Sequence, residues 1–167
     1  MYTNCNQSIY IFLIVWYNKN IGEKKMAANI TIKKIWEDDF SAEFNIKFQS
    51  KINFESFSVS GNFYLSEGKT FEQLSKALIN GAGDVVFEGV GGDCCKLKIS
   101  ENSRGLKNIN YHLFIKEQNY ETEDSLDVSI NTGYIIEPAI VDRIASRLKE
   151  FYNEPEGCEI SLVYTEE

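Results

Sequence analysis

One histidine, His112, occurs in the 167 residues, so any histidine-rich metal site or catalytic triad would have to be built around that single imidazole. The four cysteines contain no pair spaced by two residues, the spacing of redox and zinc motifs. Cys94 and Cys95 are vicinal, and adjacent cysteines cannot bridge without severe strain. Basic charge is also scarce: 17 Lys and Arg stand against 25 Asp and Glu, a net charge of -8 at pH 7. That balance argues against nucleic-acid binding, which needs clustered Lys and Arg to displace counterions from phosphate. Long apolar runs are missing too. The longest, Ile9 to Tyr17, has nine residues where a membrane-spanning helix needs about 20. It is equally unlike a signal peptide, because no Lys or Arg precedes Lys19 and no small-x-small cleavage site follows.

The first 25 residues read as something other than the fold. Met26 is preceded by Ile21-Gly22-Glu23-Lys24-Lys25, which can be encoded as AUA-GGA-GAA-AAA-AAA, a GGAG ribosome-binding element just ahead of an AUG codon. Translation is expected to start at Met26, with residues 1–25 a translated leader; the opposite reading is a true N-terminal strand or helix packed on the domain. Without the leader, 142 residues remain with 14 basic and 24 acidic side chains, a net of -10. Residues 26–167 then form a single domain, long enough to bury a core without disulfide or metal staples. Cys5 leaves with the leader, and the other three cysteines are expected to be reduced thiols in a cytoplasmic protein.

From Asn29 to Leu65 apolar residues alternate with polar ones: Ile30, Ile32; Ala42, Phe44, Ile46, Phe48; Phe57, Val59, Phe63, Leu65. Such period-two runs are strands with one buried face. Glu37-Asp38-Asp39 suits the turn between the first two, because Asp side chains bond neighbouring backbone groups. At Thr70 the period changes. Thr70-Phe71-Glu72-Gln73 has the form of a capping box, and Phe71, Leu74 and Leu78 at helical spacing predict a helix over 70–80, ended by Gly81 or Gly83. Four more alternating runs follow: 85–88, 95–99, 109–115 and 126–130. Their links are too short for crossover helices, so neighbouring strands are expected to be antiparallel, most simply as a meander. Pro138 opens a second helix over 138–152, whose stripe of Ile140, Val141, Ile144, Ala145, Leu148, Phe151 and Tyr152 lies opposite Asp142, Arg143, Ser146, Arg147 and Glu150. Residues 159–164 could add a last strand. The fold class expected is therefore α+β: a twisted, mainly antiparallel sheet of six to eight strands with two amphipathic helices packed against it.

Chemistry is harder to find. Alternation puts His112 on a strand face with Asn108, Asn110, Phe114 and Lys116, opposite Tyr111, Leu113 and Ile115. Cys95 faces inward with Leu97 and Ile99, and Cys94 outward with Lys96 and Lys98, lysines expected to favour its thiolate modestly. The glycines of Gly89-Val90-Gly91-Gly92-Asp93 precede a strand and not a helix, so they mark a hairpin and not a phosphate loop. The acidic clusters at 37–39 and 117–127 lack the spacing of a calcium hand. No catalytic, metal or cofactor residues are assigned. An excess of about ten negative charges does create a field that attracts cationic surfaces, and carboxylates can stand in for phosphates toward a partner that binds nucleic acid.

The order of signals from about Asn53 to Asn153 resembles the Wap-type immunity proteins of bacterial polymorphic and contact-dependent toxin systems. The likeness rests on S-G-N-F-Y-L, then the helix F-E-Q-L-S-K-A-L, the strands D-V-V-F-E-G and K-L-K-I-S, R-G-L-K-N-I-N-Y-H-L, L-D-V-S-I-N-T, and the closing helix P-A-I-V-D-R-I-A-S-R-L. The resemblance implies a cytoplasmic, non-enzymatic protein that neutralises a cognate toxin by occluding its active or substrate-binding surface. Such a partner is expected to be a basic protein, a nuclease being one class that fits, with no direct binding of nucleic acid or membrane. Candidate contact residues are Glu117, Glu121, Glu123, Asp124 and Asp127, or Glu37, Asp38 and Asp39, with Tyr111, Phe114 and Tyr120 as aromatic anchors. The alternatives are a small-molecule-binding or hydrolytic α+β domain using His112 and a nearby carboxylate, and a structural subunit of a larger assembly. Intact-mass spectrometry of the natively expressed protein is expected to find a chain that begins at Met26; a mass that includes Met1 contradicts the leader.

Overall fold

The computed structural model describes residues 9–12, 27–52, 55–89, 92–118, 125–136 and 138–162. The chain runs β1 (Ile9–Phe12), β2 (Ala27–Glu37), β3 (Ala42–Ile52), β4 (Glu55–Leu65), α1 (Lys69–Asn80), β5 (Ala82–Glu88) and β6 (Cys94–Glu101). It continues through β7 (Lys107–Gln118), β8 (Ser125–Ile136), α2 (Pro138–Phe151) and β9 (Glu159–Ser161). The α+β class, the antiparallel pairing and the two helices are those expected from the pattern. The strands, however, divide between two sheets, ordered β4-β3-β2-β9 and β1-β8-β7-β6-β5. The division falls at α1: the hairpin links on either side keep successive strands hydrogen-bonded, whereas a helix between β4 and β5 carries the chain off one sheet and onto the other. β1, within the stretch read as leader, lies parallel to β8, with Ile9 opposite Val128. Among the described residues no helix is long and apolar enough to cross a membrane.

The alternation seen in sequence becomes the inner faces. Ile30, Ile32, Phe44, Ile46, Phe48, Phe63 and Leu65 of one sheet are buried, as are Val85, Phe87, Cys95, Leu97, Ile99, Ile109, Tyr111 and Leu113 of the other. The sheets meet where the rings of Phe48 and Tyr111 stack, with centroids 5.6 Å apart. Phe71 of α1 joins the layers. Its ring lies 4.8 Å from Phe44, 5.7 Å from Phe87 and 5.4 Å from Phe151, so a single side chain touches both sheets and the second helix. Burying an aromatic of this size contributes about 1.5–3 kcal/mol, and well-disposed ring pairs about 0.5–1.5 kcal/mol more. Ser75 at the helix crossing is buried, and its hydroxyl donates to the Ala145 carbonyl at 2.7 Å.

The capping box expected at Thr70 is not used. α1 starts at Lys69, with Gly68 at the N-cap position and no side-chain cap; the Phe71 and Glu72 amides bond the Gly68 carbonyl. Packing decides this start, because Gly68 lies against Tyr152, where an added Cβ would come within 3.1 Å of the Tyr152 Cβ. The C-terminal signal holds: Gly81 is left-handed at φ 67°, and its N–H bonds the carbonyls of Ala77 and Leu78. A Cβ there would also approach Lys107 Nζ to 2.6 Å, and that nearly buried ammonium reaches the Ile79 carbonyl at 3.5 Å and the Glu101 carboxylate.

The end of α2 is held by the same device in stronger form. Lys34 on β2 occupies the inward phase of Ile30 and Ile32 and is fully buried. Its Nζ donates to the Tyr152 carbonyl at 2.8 Å, to the Glu154 carbonyl at 2.9 Å and to the Glu37 carboxylate, and it lies 5.6 Å from the centre of the Tyr152 ring. Carbonyls just past a helix C-terminus are electronegative and need donors, so a lysine is suited to this place. Replacing Lys34 by Met strands those carbonyls and the carboxylate. The variant is expected to lose about 2–4 kcal/mol in urea unfolding, and an unchanged midpoint would contradict this role.

Candidate functional site

β2 carries a bulge where it passes Lys34. Lys34 pairs with Phe44 and Trp36 with Glu43, which leaves Ile35 as the extra residue. A bulge re-aims side chains, and here Ile35 and Trp36 both reach solvent, 41% and 42% exposed. The turn that follows is built by Asp38, as its sequence suggested. Its Oδ1 accepts from the amides of Phe40 at 2.8 Å and Ser41 at 2.7 Å, while its own N–H donates to the Ser41 carbonyl. Those backbone donors hold the Asp38 carboxyl below its ordinary value. Phe40, at the tip, is 82% exposed.

Beyond the turn the register aligns Trp36, Glu43 and Tyr64 in one row across β2, β3 and β4, on the face turned away from the core. Tyr64 is 43% exposed. Glu43 accepts from Asn62 Nδ2 at 2.9 Å, and its carboxylate beside Tyr64 raises that phenol above its ordinary pKa. Asn62 is itself fixed by Asn45 Nδ2 at 2.6 Å. Further carboxylates come from the chain beyond α2, where Glu156 Oε1 accepts from the Glu37 amide at 3.0 Å. Burial raises the Tyr152 phenol first, and Glu37, Asp38 and Glu67 raise it further, so these three carboxylates act within one field.

A cation neutralises the patch at Glu37 alone among the ion pairs of the described residues, where the Lys34 ammonium engages the carboxylate. Lys34 is buried beneath it, and Arg147 is held by Glu154 through two bonds of 3.1 and 2.9 Å. Lys33 and Lys47 lie one and two rows farther along the outer face, in register with Asn45 and Thr31. None of the ion pairs among the described residues includes Asp38, Asp39 or Glu43. The result is four exposed apolar or aromatic side chains, Ile35, Trp36, Phe40 and Tyr64, among Glu37, Asp38, Asp39 and Glu43.

Of the residues singled out in sequence, Glu37, Asp38 and Asp39 are brought together here. Tyr111 is not available as an anchor. It is fully buried against Phe48, and its hydroxyl donates to the Ile46 carbonyl at 3.4 Å, in keeping with its place in phase with Leu113. Phe114 is half-buried on the outer face of the five-stranded sheet, paired with Cys94 and Ser129. Glu117 and Asp127 take strand positions opposite Leu126 and Lys116, with side chains outside the description, and Tyr120, Glu121, Glu123 and Asp124 lie outside the described residues.

His112 is half-buried on that same outer face, between Lys96 and Asn131. Lys96, its neighbour in this register, is engaged by Asp84 at 2.6 Å. An open groove of about 490 Å³ lies elsewhere, between the start of α1 and the end of α2, and is lined by Glu67, Lys69, Glu72, Lys149, Tyr152 and Asn153. The expectation that lysines favour a Cys94 thiolate is overturned: burial raises this thiol, and Asp93 and Glu88 raise it further, while Asp84 occupies Lys96.

Comparison with family models, curated proteins and solved structures finds no match to this chain. The patch therefore stands on its own chemistry. Five of its residues, Ile35, Trp36, Phe40, Glu43 and Tyr64, were not picked out by the sequence reading, although two signals were there. Lys34 stands where an inward apolar residue belongs and is followed by the adjacent pair Ile35-Trp36, a break in period two that marks a bulge; and a phenylalanine directly after Asp38-Asp39 puts an aromatic ring on a turn.

Proposed function

We propose that this chain is an immunity protein of a bacterial toxin system, which binds a basic toxin domain and neutralises it by covering its active or substrate-binding surface. The observation that carries the proposal is the exposed set of Trp36, Phe40 and Tyr64 beside the carboxylates of Asp38, Asp39 and Glu43. Protein interfaces concentrate their binding energy in a few aromatic anchors, Trp and Tyr above all, and the surrounding charges chiefly set association rate and partner choice. An acidic surface of this kind favours a partner whose own site is lined by Lys and Arg, and a site that binds phosphate is the plainest example. The net charge of -8 gives the same preference at long range. Inhibition then needs no chemistry from this chain: a partner held at the turn and the outer rows of β2 to β4 has its own surface blocked.

The toxin is expected to be encoded beside this chain, and its association with purified variants separates energy from steering. Phe40 is so exposed that Phe40→Ala leaves folding intact; it is expected to weaken binding about tenfold or more, mostly through faster dissociation. Asp39→Lys is expected to slow association and flatten its dependence on salt. If both variants bind with unchanged kinetics, the turn is not the interface. A loss confined to Glu121→Lys, Glu123→Lys and Asp124→Lys would move the interface to residues 117–127.

A further inference from the structure

We infer that the Trp36, Glu43 and Tyr64 row is a receptor for one arginine side chain of the partner, an inference that rests on the reading of the chain as a binder of a basic protein. The three residues are directly opposed on adjacent strands, Trp36 with Glu43 and Glu43 with Tyr64. Opposed side chains on one sheet face have Cβ atoms about 4.5–5.5 Å apart. A carboxylate is thus flanked by an exposed indole on one side and an exposed phenol on the other.

The carboxylate is prepared for a partner. Asn62 Nδ2, itself held by Asn45, donates to it and fixes its orientation. One donor occupies about a quarter of a carboxylate's four acceptor positions, which leaves room for a planar fork. Lys33 lies one row away on the same face, yet Glu43 takes part in none of the ion pairs among the described residues. A guanidinium uses all of this at once: two parallel N–H bonds to Glu43, and flat, weakly hydrated faces against Trp36 and Tyr64. An ammonium gains the charge attraction but not the fork or the stacking, so the row discriminates arginine from lysine. The exposed Ile35 and Phe40 beside it give the rest of the partner an apolar footing.

The probes are hexa-arginine and hexa-lysine peptides of equal charge, titrated into the full chain at low salt. Binding is read from the Trp36 indole N–H resonance, identified as the one missing in Trp36→Phe. Hexa-arginine is expected to shift that resonance and to bind at least about fivefold more tightly than hexa-lysine. Glu43→Gln, a nearly isosteric change at a half-buried position whose unfolding midpoint serves as the folding control, is expected to abolish the preference. Equal affinities for the two peptides, an unmoved Trp36 resonance, or a preference that survives Glu43→Gln each overturn the receptor. If the peptides show no preference while Phe40→Ala and Asp39→Lys still impair toxin binding, the arginine receptor fails and the immunity reading stands. If the preference holds while the unaltered chain neither binds nor neutralises the toxin, the receptor stands and the immunity reading fails.

Discussion

An ammonium group taken wholly out of water must be surrounded by acceptors, and the way this requirement is met at Lys34 determines the shape of one end of the molecule. A lysine at an inward sheet position would be strongly destabilising if unpaired. Here two carbonyls past the end of α2 and one carboxylate from β2 supply the acceptors. Its backbone is engaged as well, the N–H by the Cys158 carbonyl and the carbonyl by the Gly157 amide, both at 2.9 Å. The segment after α2 is thereby held against β2 on both sides of the peptide. Just beyond this anchored residue β2 bulges, and Ile35 and Trp36 are turned outward together. The exposed aromatic residues rest on a rigid base because of the buried charge behind them.

The same economy recurs at the other helix, where Lys107 and Glu101 meet the end of α1 at Gly81. Each helix thus ends on a lysine from a strand, and each of those lysines is tied to a glutamate at the surface. Between these two ends, Phe71 makes the two sheets and two helices a single core. Neither lysine adds free positive charge to the surface. Lys34, Lys107 and Arg147 are engaged in bracing the fold, while Asp38, Asp39 and Glu43 take part in none of the ion pairs among the described residues, so a local acidic field remains at the β2–β3 end.

Much of the fold was legible because alternation and helical spacing report burial directly. Phe44, Ile46, Phe48, Leu97, Ile99 and Leu113 are inward where period two put them, and the buried stripe of α2 is the one read from its spacing. Asp38 was legible as a turn residue because its chemistry is local. The failures share a different cause, which is contact with distant chain. Thr70 had the residues of a cap, but Tyr152 set where α1 begins. The partition into two sheets depends on where α1 returns the chain, which no local period encodes. Cys94 was judged by its sequence neighbours, whereas its cross-strand neighbour Glu88 is a carboxylate. The row of Trp36, Glu43 and Tyr64 joins three strands and becomes visible only with the register in hand. Tyr111 is the opposite case: its phase with Leu113 already marked it as core, and burial follows that phase.

What unites these features is a division of labour, in which Lys34 and Lys107 brace the helix ends and an aromatic, acidic surface stays exposed at the β2–β3 turn. The most direct measurement is protection of growing cells from the toxin that the proposed function expects to be encoded beside this chain. Co-expression of the unaltered chain is expected to restore growth, and the double variant Trp36→Ala, Phe40→Ala, folded and present at the same level, is expected to leave the cells unprotected. Full protection by the double variant would contradict the account.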